Sequence, residues 1–151
     1  MPQDVIQDHF TAADQSDWDA GLLVLRTIVQ ARLRNLSEEE NEKYGTIDEK
    51  NKLLVDKIED YRDTQPQLSS GDVDWVEFKK DKFDRKFLET GAMALMSLAK
   101  TMLETKRMHD YDNFQASLID YDYSQYKDRT SPGMGFDAKV AELKQFFSAA
   151  K

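Results

Sequence analysis

A stretch from about Phe83 to Leu103 reads as one helix, and its centre, Gly91-Ala92-Met93-Ala94-Leu95-Met96-Ser97-Leu98-Ala99, is apolar or small on every face. A helix apolar all round belongs inside a structure. The spacing therefore predicts an interior rod, with the remaining segments packed around it. Gly91 in a helix costs roughly 1 kcal/mol relative to Ala, which predicts a neighbour packed against it.

The other segments carry one-sided stripes. Val5, Ile6 and Phe10 suit a short helix over 4–12 after Pro2. Trp18, Leu22, Leu25, Val29, Leu33 and Leu36 step by three and four, which predicts a second helix capped by Ser16 or Asp17. Ser37 before Glu38-Glu39-Glu40 reads as a further cap, because acids interact favourably with a helix N-terminus. Thr46-Ile47-Asp48-Glu49 has capping-box form and opens a helix to about Tyr61. Asp63 to Pro66 and Ser69 to Asp72 form a long break, and a short helix is expected to restart at Asp72 or Asp74. Tyr111, Phe114, Leu118 and Tyr121 predict a separate helix beyond the rod. After the breaker Thr130–Gly135, a last helix is expected from Phe136 to about Ala149. No stretch alternates at period two. The expected fold is a single all-α domain over 1–151, a bundle of five to six helices around the central one.

The chain has 151 residues and no cysteine, so a core without disulfides is expected, and thiolate metal sites and cysteine nucleophiles are excluded. The start lacks the basic and apolar regions of a secretory signal, and no apolar run reaches the roughly 20 residues that span a bilayer. A cytoplasmic protein without membrane contact is the expectation. The net charge of −8 is laid out in blocks. Residues 1–20 hold five aspartates and no Lys or Arg, and 21–37 hold Arg26, Arg32 and Arg34 and no acid. Residues 38–63 return to acid, Lys79 to Lys86 is basic, and 109–131 is acidic again. Such alternation disfavours nucleic-acid binding, where a basic field supplies most of the affinity. It suits docking between oppositely charged protein surfaces.

Few residue patterns carry chemistry. Glu39-x-x-Glu42 and Asp60-x-x-Asp63 flank the third predicted helix, and facing carboxylate pairs three apart can hold magnesium. Over 39–63 this loosely resembles the all-α nucleotide pyrophosphohydrolases, whose signature is Glu-x-x-Glu on one helix and Glu-x-x-Asp on the next. Asp60 stands where that family has Glu, and Asp63 sits at a fraying end beside Pro66. The resemblance implies a magnesium-dependent enzyme using Glu39, Glu42, Asp60 and Asp63. A solvated helix face explains the same spacing in a chain with 29 acids.

Asp120-x-Asp122-x-Ser124 opens like a calcium loop, but Gln125 and Ser131 occupy the positions of the required Gly and Glu. Asp72-x-Asp74 and Asp110-x-Asp112 read as turn and cap residues. Lys79 to Lys86, interleaved with Phe78, Phe83 and Phe87, is interrupted by Asp81 and Asp84, which favours a salt-bridged face. His109 reads as a cap at the end of the central helix. Neither metal nor cofactor is expected.

Four of the six tyrosines lie between Tyr111 and Tyr126. Tyrosine gives large contact area with a polar tip and is enriched at hot spots. The partner-binding residues are therefore placed at Tyr111, Tyr121, Tyr123, Tyr126 and Arg129, with Tyr121 alternatively in the core. The expected function is a non-enzymatic interaction or assembly protein: an adaptor, or a structural subunit of a larger complex such as a viral particle. Its partner is another protein or a second copy of the chain. A magnesium-dependent phosphohydrolase and an acidic mimic of nucleic acid are the alternatives.

Overall fold

Thr11 sets the start of the first helix. Its hydroxyl accepts from the Asp14 amide at 3.1 Å, and the Asp14 carboxylate accepts from the Thr11 amide at 2.7 Å, closing a capping box before α1, Ala12–Gln30. In the computed structural model, which describes residues 4–147, α1 is followed by α2, Glu38–Tyr44, α3, Glu49–Thr64, a 3-10 turn Pro66–Leu68, α4, Trp75–Thr130, and α5, Phe136–Lys144. The chain is all-α with one long central helix, as the periodicity predicts, and no strand forms among the described residues.

Several boundaries differ from expectation, each for a local reason. Residues 4–10 are not helical, and the cap falls at Thr11, leaving Ser16 and Asp17 inside α1. The helix stops at Gln30, short of Leu36, ahead of the extended backbone that Ser37 adopts to cap α2 with its side chain on the Glu40 amide. Asp48, as good an N-cap as Thr, takes the role assigned to Thr46 by accepting from the Asn51 amide at 2.9 Å. Thr46 instead donates to the Lys43 carbonyl at 3.1 Å and closes the end of α2.

The three helices expected between Asp74 and Tyr121 are one. Asp74 caps α4 by accepting from the amides of Val76 and Glu77, both at 3.0 Å, and no Gly or Pro interrupts the run from Met102 to Thr130. His109 therefore sits inside a helix instead of capping one. The last helix ends at Lys144, and Ala149 lies outside the described residues.

The chain divides into two compact units. In the unit of residues 10–87, α3 and the first turns of α4 form an antiparallel hairpin. Lys79 reaches Asp63 at 2.6 Å, and Lys82 reaches Asp56 at 2.7 Å and also Glu59, so rising numbers on one helix meet falling numbers on the other. At the closed end, Trp75 donates its indole N–H to the Ser70 carbonyl at 2.9 Å and lies 5.1 Å beneath the Arg62 guanidinium. Among the described residues, the second unit joins 4–9 with 88–147. There the Asp112 carboxylate accepts from the amides of Val5, at 2.9 and 3.0 Å, and Ile6, at 3.1 Å. The rings of His9 and His109 lie 5.7 Å apart beside that contact.

The hydrogen bond and charge of Lys82 hold the Asp56 carboxyl below its ordinary value near 3.8, and Asp56, with Glu59, holds the Lys82 ammonium above its ordinary 10.5. A depressed carboxyl stabilises the fold above its unfolded pKa and loses that contribution as pH falls through the folded one. A raised ammonium stabilises below 10.5 and loses its contribution as pH rises through its folded value. The hairpin is thus held between these limits. In a Trp18→Phe background, Trp75 fluorescence should change as pH falls below about 3.8, and Lys82→Met should flatten that step. A trace identical in both proteins would show that the ion pair does not fasten the hairpin.

Candidate functional site

The tyrosine segment lies on the last turns of α4, which Ser131–Gly135 turn back toward α5. Gly133 and Gly135 adopt φ of +86° and +87°, a left-handed backbone that side chains disfavour, and this is what the Gly-Met-Gly sequence supplies. The reversal brings Phe136 edge-on to Tyr123 at 6.0 Å and stacks Phe147 on Tyr121 at 4.5 Å. Lys139 pairs with Asp120 at 2.6 Å across the same turn. Ser124 is fully buried and donates to the Asp120 carbonyl at 2.7 Å.

The five residues singled out do not form one surface. Positions two apart on a helix point to nearly opposite sides, so Tyr121 and Tyr123 diverge. Tyr121 is buried, which settles it as core. Tyr123 is half-exposed against Phe136, with the Lys127 ammonium 5.8 Å over its ring. Tyr111, Tyr126 and Arg129 stay exposed, and they fall on one side of α4 by helical phase.

The carboxylate set of the alternative reading does not converge. Asp63 pairs with Lys79, Asp60 with Lys57 at 3.0 Å, and no three metal-ligating side chains gather among the described residues. Asp120 and Asp122 are helical, so they cannot form a calcium loop, and Asp110 pairs with Lys106 at 2.5 Å. Three of the five bases of the basic block are engaged in ion pairs: Lys79 and Lys82 bind acids of α3, and Lys80 binds Glu77 at 3.3 Å. No helix among the described residues is long and apolar enough to cross a membrane.

What the sequence reading misplaces is the cover of the central rod. Within their own units Leu88, Leu95, Leu98 and Met102 are 44–53 % exposed, and Phe83 and Met96 exceed 70 %. A Cβ built on Gly91 meets nothing within 4 Å, so among the described residues of its unit the neighbour expected there is absent. Only Tyr121 and Ser124 are buried among the described residues. A depression beside this stretch is lined by Met96, Ala99, Leu103 and three charged side chains, all from α4. One helix cannot enclose a small ligand, and the surface is an open apolar face.

The contact of residues 5–9 with α4 also escaped the sequence reading. His9 and His109 are a hundred positions apart, and no local pattern announces that Asp112 caps distant amides.

No protein-family model matches this chain, and no curated protein or solved structure shows significant similarity to it.

Alanine at Tyr121 should lower stability by about 2 kcal/mol, since it removes a buried ring and its stack on Phe147. Alanine at Tyr126 should change it by less than about 0.5 kcal/mol, as expected of an exposed side chain. Thermal melts followed by circular dichroism compare the two, and equal losses would overturn the division into core and surface.

Proposed function

We propose that this chain is a non-enzymatic assembly protein, a helical adaptor or structural subunit that docks on protein partners through apolar helix faces. One observation carries the reading: the stripe Leu88, Gly91, Leu95, Leu98, Met102 on α4 is left uncovered by the described residues of its own unit. Its steps of three and four are those of a helix–helix seam, and Gly91 leaves room for close backbone approach. Soluble single chains rarely leave large contiguous apolar patches open, so a face of this kind marks an interaction surface. The alternating charge blocks supply orientation, because apolar contact alone is non-directional.

Tyr111, Tyr126 and Arg129 form a second exposed patch of the same helix, opposite the stripe by helical phase, and offer a separate contact for a partner. Tyr121 supports the turn from inside. The partner is a second copy of the chain or another helical protein, in keeping with a component of a larger particle.

Light scattering on the purified protein should give a mass above that of one chain. Leu95→Lys should lower that mass and leave helicity unchanged, because the side chain is exposed before association. A wild-type protein that stays strictly monomeric at all concentrations, with its helices fully formed, would count against the proposal.

A further inference from the structure

Within the unit of residues 10–87, α1 repeats the problem of α4 in a form that identifies its own solution. Trp18, Leu22, Leu25 and Val29 lie on one stripe at steps of four, three and four, and Trp18, Leu25 and Val29 are 40–45 % exposed. Ile28, on the flank of the stripe, and Leu23 and Val24, on the far side of the helix, are exposed further. In proteins most helical stability comes from packing of the apolar face, so the face of α1 calls for a cover.

The charges of α1 say what kind of cover fits. Its first half carries Asp14, Asp17 and Asp19 and no base, while Arg26 lies in its second half and Arg32 and Arg34 follow it, with no acid from Gly21 to Ser37. A parallel copy would set aspartates against aspartates and arginines against arginines. An antiparallel copy sets each acidic end against a basic one and opposes the two helix dipoles favourably.

The stripe is self-complementary in the same arrangement. About a two-fold axis midway between Leu22 and Leu25, Trp18 of one copy lies opposite Val29 of the other, and Leu22 opposite Leu25. Asp19 and Arg26 are seven residues apart, hence on the same flank of the stripe. In this register they come within about 3 Å of the same level across the pair, twice by symmetry.

We infer that α1 pairs antiparallel with α1 of a second copy of this chain, with the Trp18–Leu22–Leu25–Val29 stripe as the seam and Asp19–Arg26 ion pairs on its flank. The inference rests on the assembly reading and names one of its partners. Two helices of this length bury less than the roughly 800 Å² per partner typical of stable complexes. The pairing is therefore concentration-dependent and weakens as salt screens the flanking charges.

Charge reversal tests it. Asp19→Arg and Arg26→Asp should each weaken self-association by about tenfold or more, since both flanking pairs become repulsive. Helicity by circular dichroism should be unchanged, because both residues are exposed. The double variant Asp19→Arg/Arg26→Asp should recover wild-type association. An equimolar mixture of the two single variants should form heterodimers in preference to either homodimer, read by native mass spectrometry.

If the reversals leave association untouched while the mass stays above one chain, the α1 pairing is overturned and the assembly reading stands. If wild type and variants are all monomeric, both fail. Weakening by either single reversal without recovery in the mixture would overturn the antiparallel register.

Discussion

An α-helix satisfies its own backbone hydrogen bonds, so a chain can be helical from end to end without yet having a core. That condition governs this protein. Side chains of α1, α3 and α4 that would normally drive folding by leaving water remain in contact with it: Val24, Leu53, Phe87 and Met96 are all more than half exposed. A chain of 151 residues is long enough to bury a substantial interior. Here, among the described residues, much of the apolar surface is distributed along helices and stays exposed, and the proposed association would remove it from water.

Within each unit the fastening is mostly polar. Lys79 and Lys82 hold the start of α4 on α3, Lys139 holds α5 on α4 through Asp120, and the Asp112 carboxylate holds the amides of Val5 and Ile6. Exposed ion pairs contribute little each, typically below about 1 kcal/mol. Their directionality nonetheless selects an antiparallel register for the hairpin, which an apolar contact of the same area would leave loose. Lys82 is the most sheltered of these groups, and it is shared between Asp56 and Glu59. The aromatic contacts, Trp75 beneath Arg62 and Tyr121 on Phe147, sit where the chain reverses and close each turn.

Periodicity made the helical class and the central segment legible, because steps of three and four are local. Boundaries were less legible where two residues compete for one role. Asp48 outcompeted Thr46 as a cap, and Thr11 with Asp14 formed a box where Ser16 and Asp17 offered only single residues. His109 suggested an end to the central helix, yet the following residues contain no breaker, and the helix continues to Thr130. The tyrosine cluster was divided by helical phase, which assigns Tyr121 and Tyr123 to different sides whatever their proximity in sequence. The meeting of His9 with His109 depends on tertiary placement, for which a single sequence carries no periodic signal.

The exposure of the central rod within its unit limits what its composition can say about its surroundings. Apolarity on every face of Gly91 to Ala99 establishes that water must be excluded from this stretch, but not which molecule excludes it. A core position and an obligate interface present the same composition, since obligate interfaces resemble a core cut in half. Charge is what separates them. A segment destined for the middle of its own chain has no need of complementary charge at its two ends. The acid-then-base order along α1 has no partner to satisfy in a purely internal role, and it matches itself when reversed. On the proposed reading, apolar seams drive association and the sign-alternating blocks set its direction.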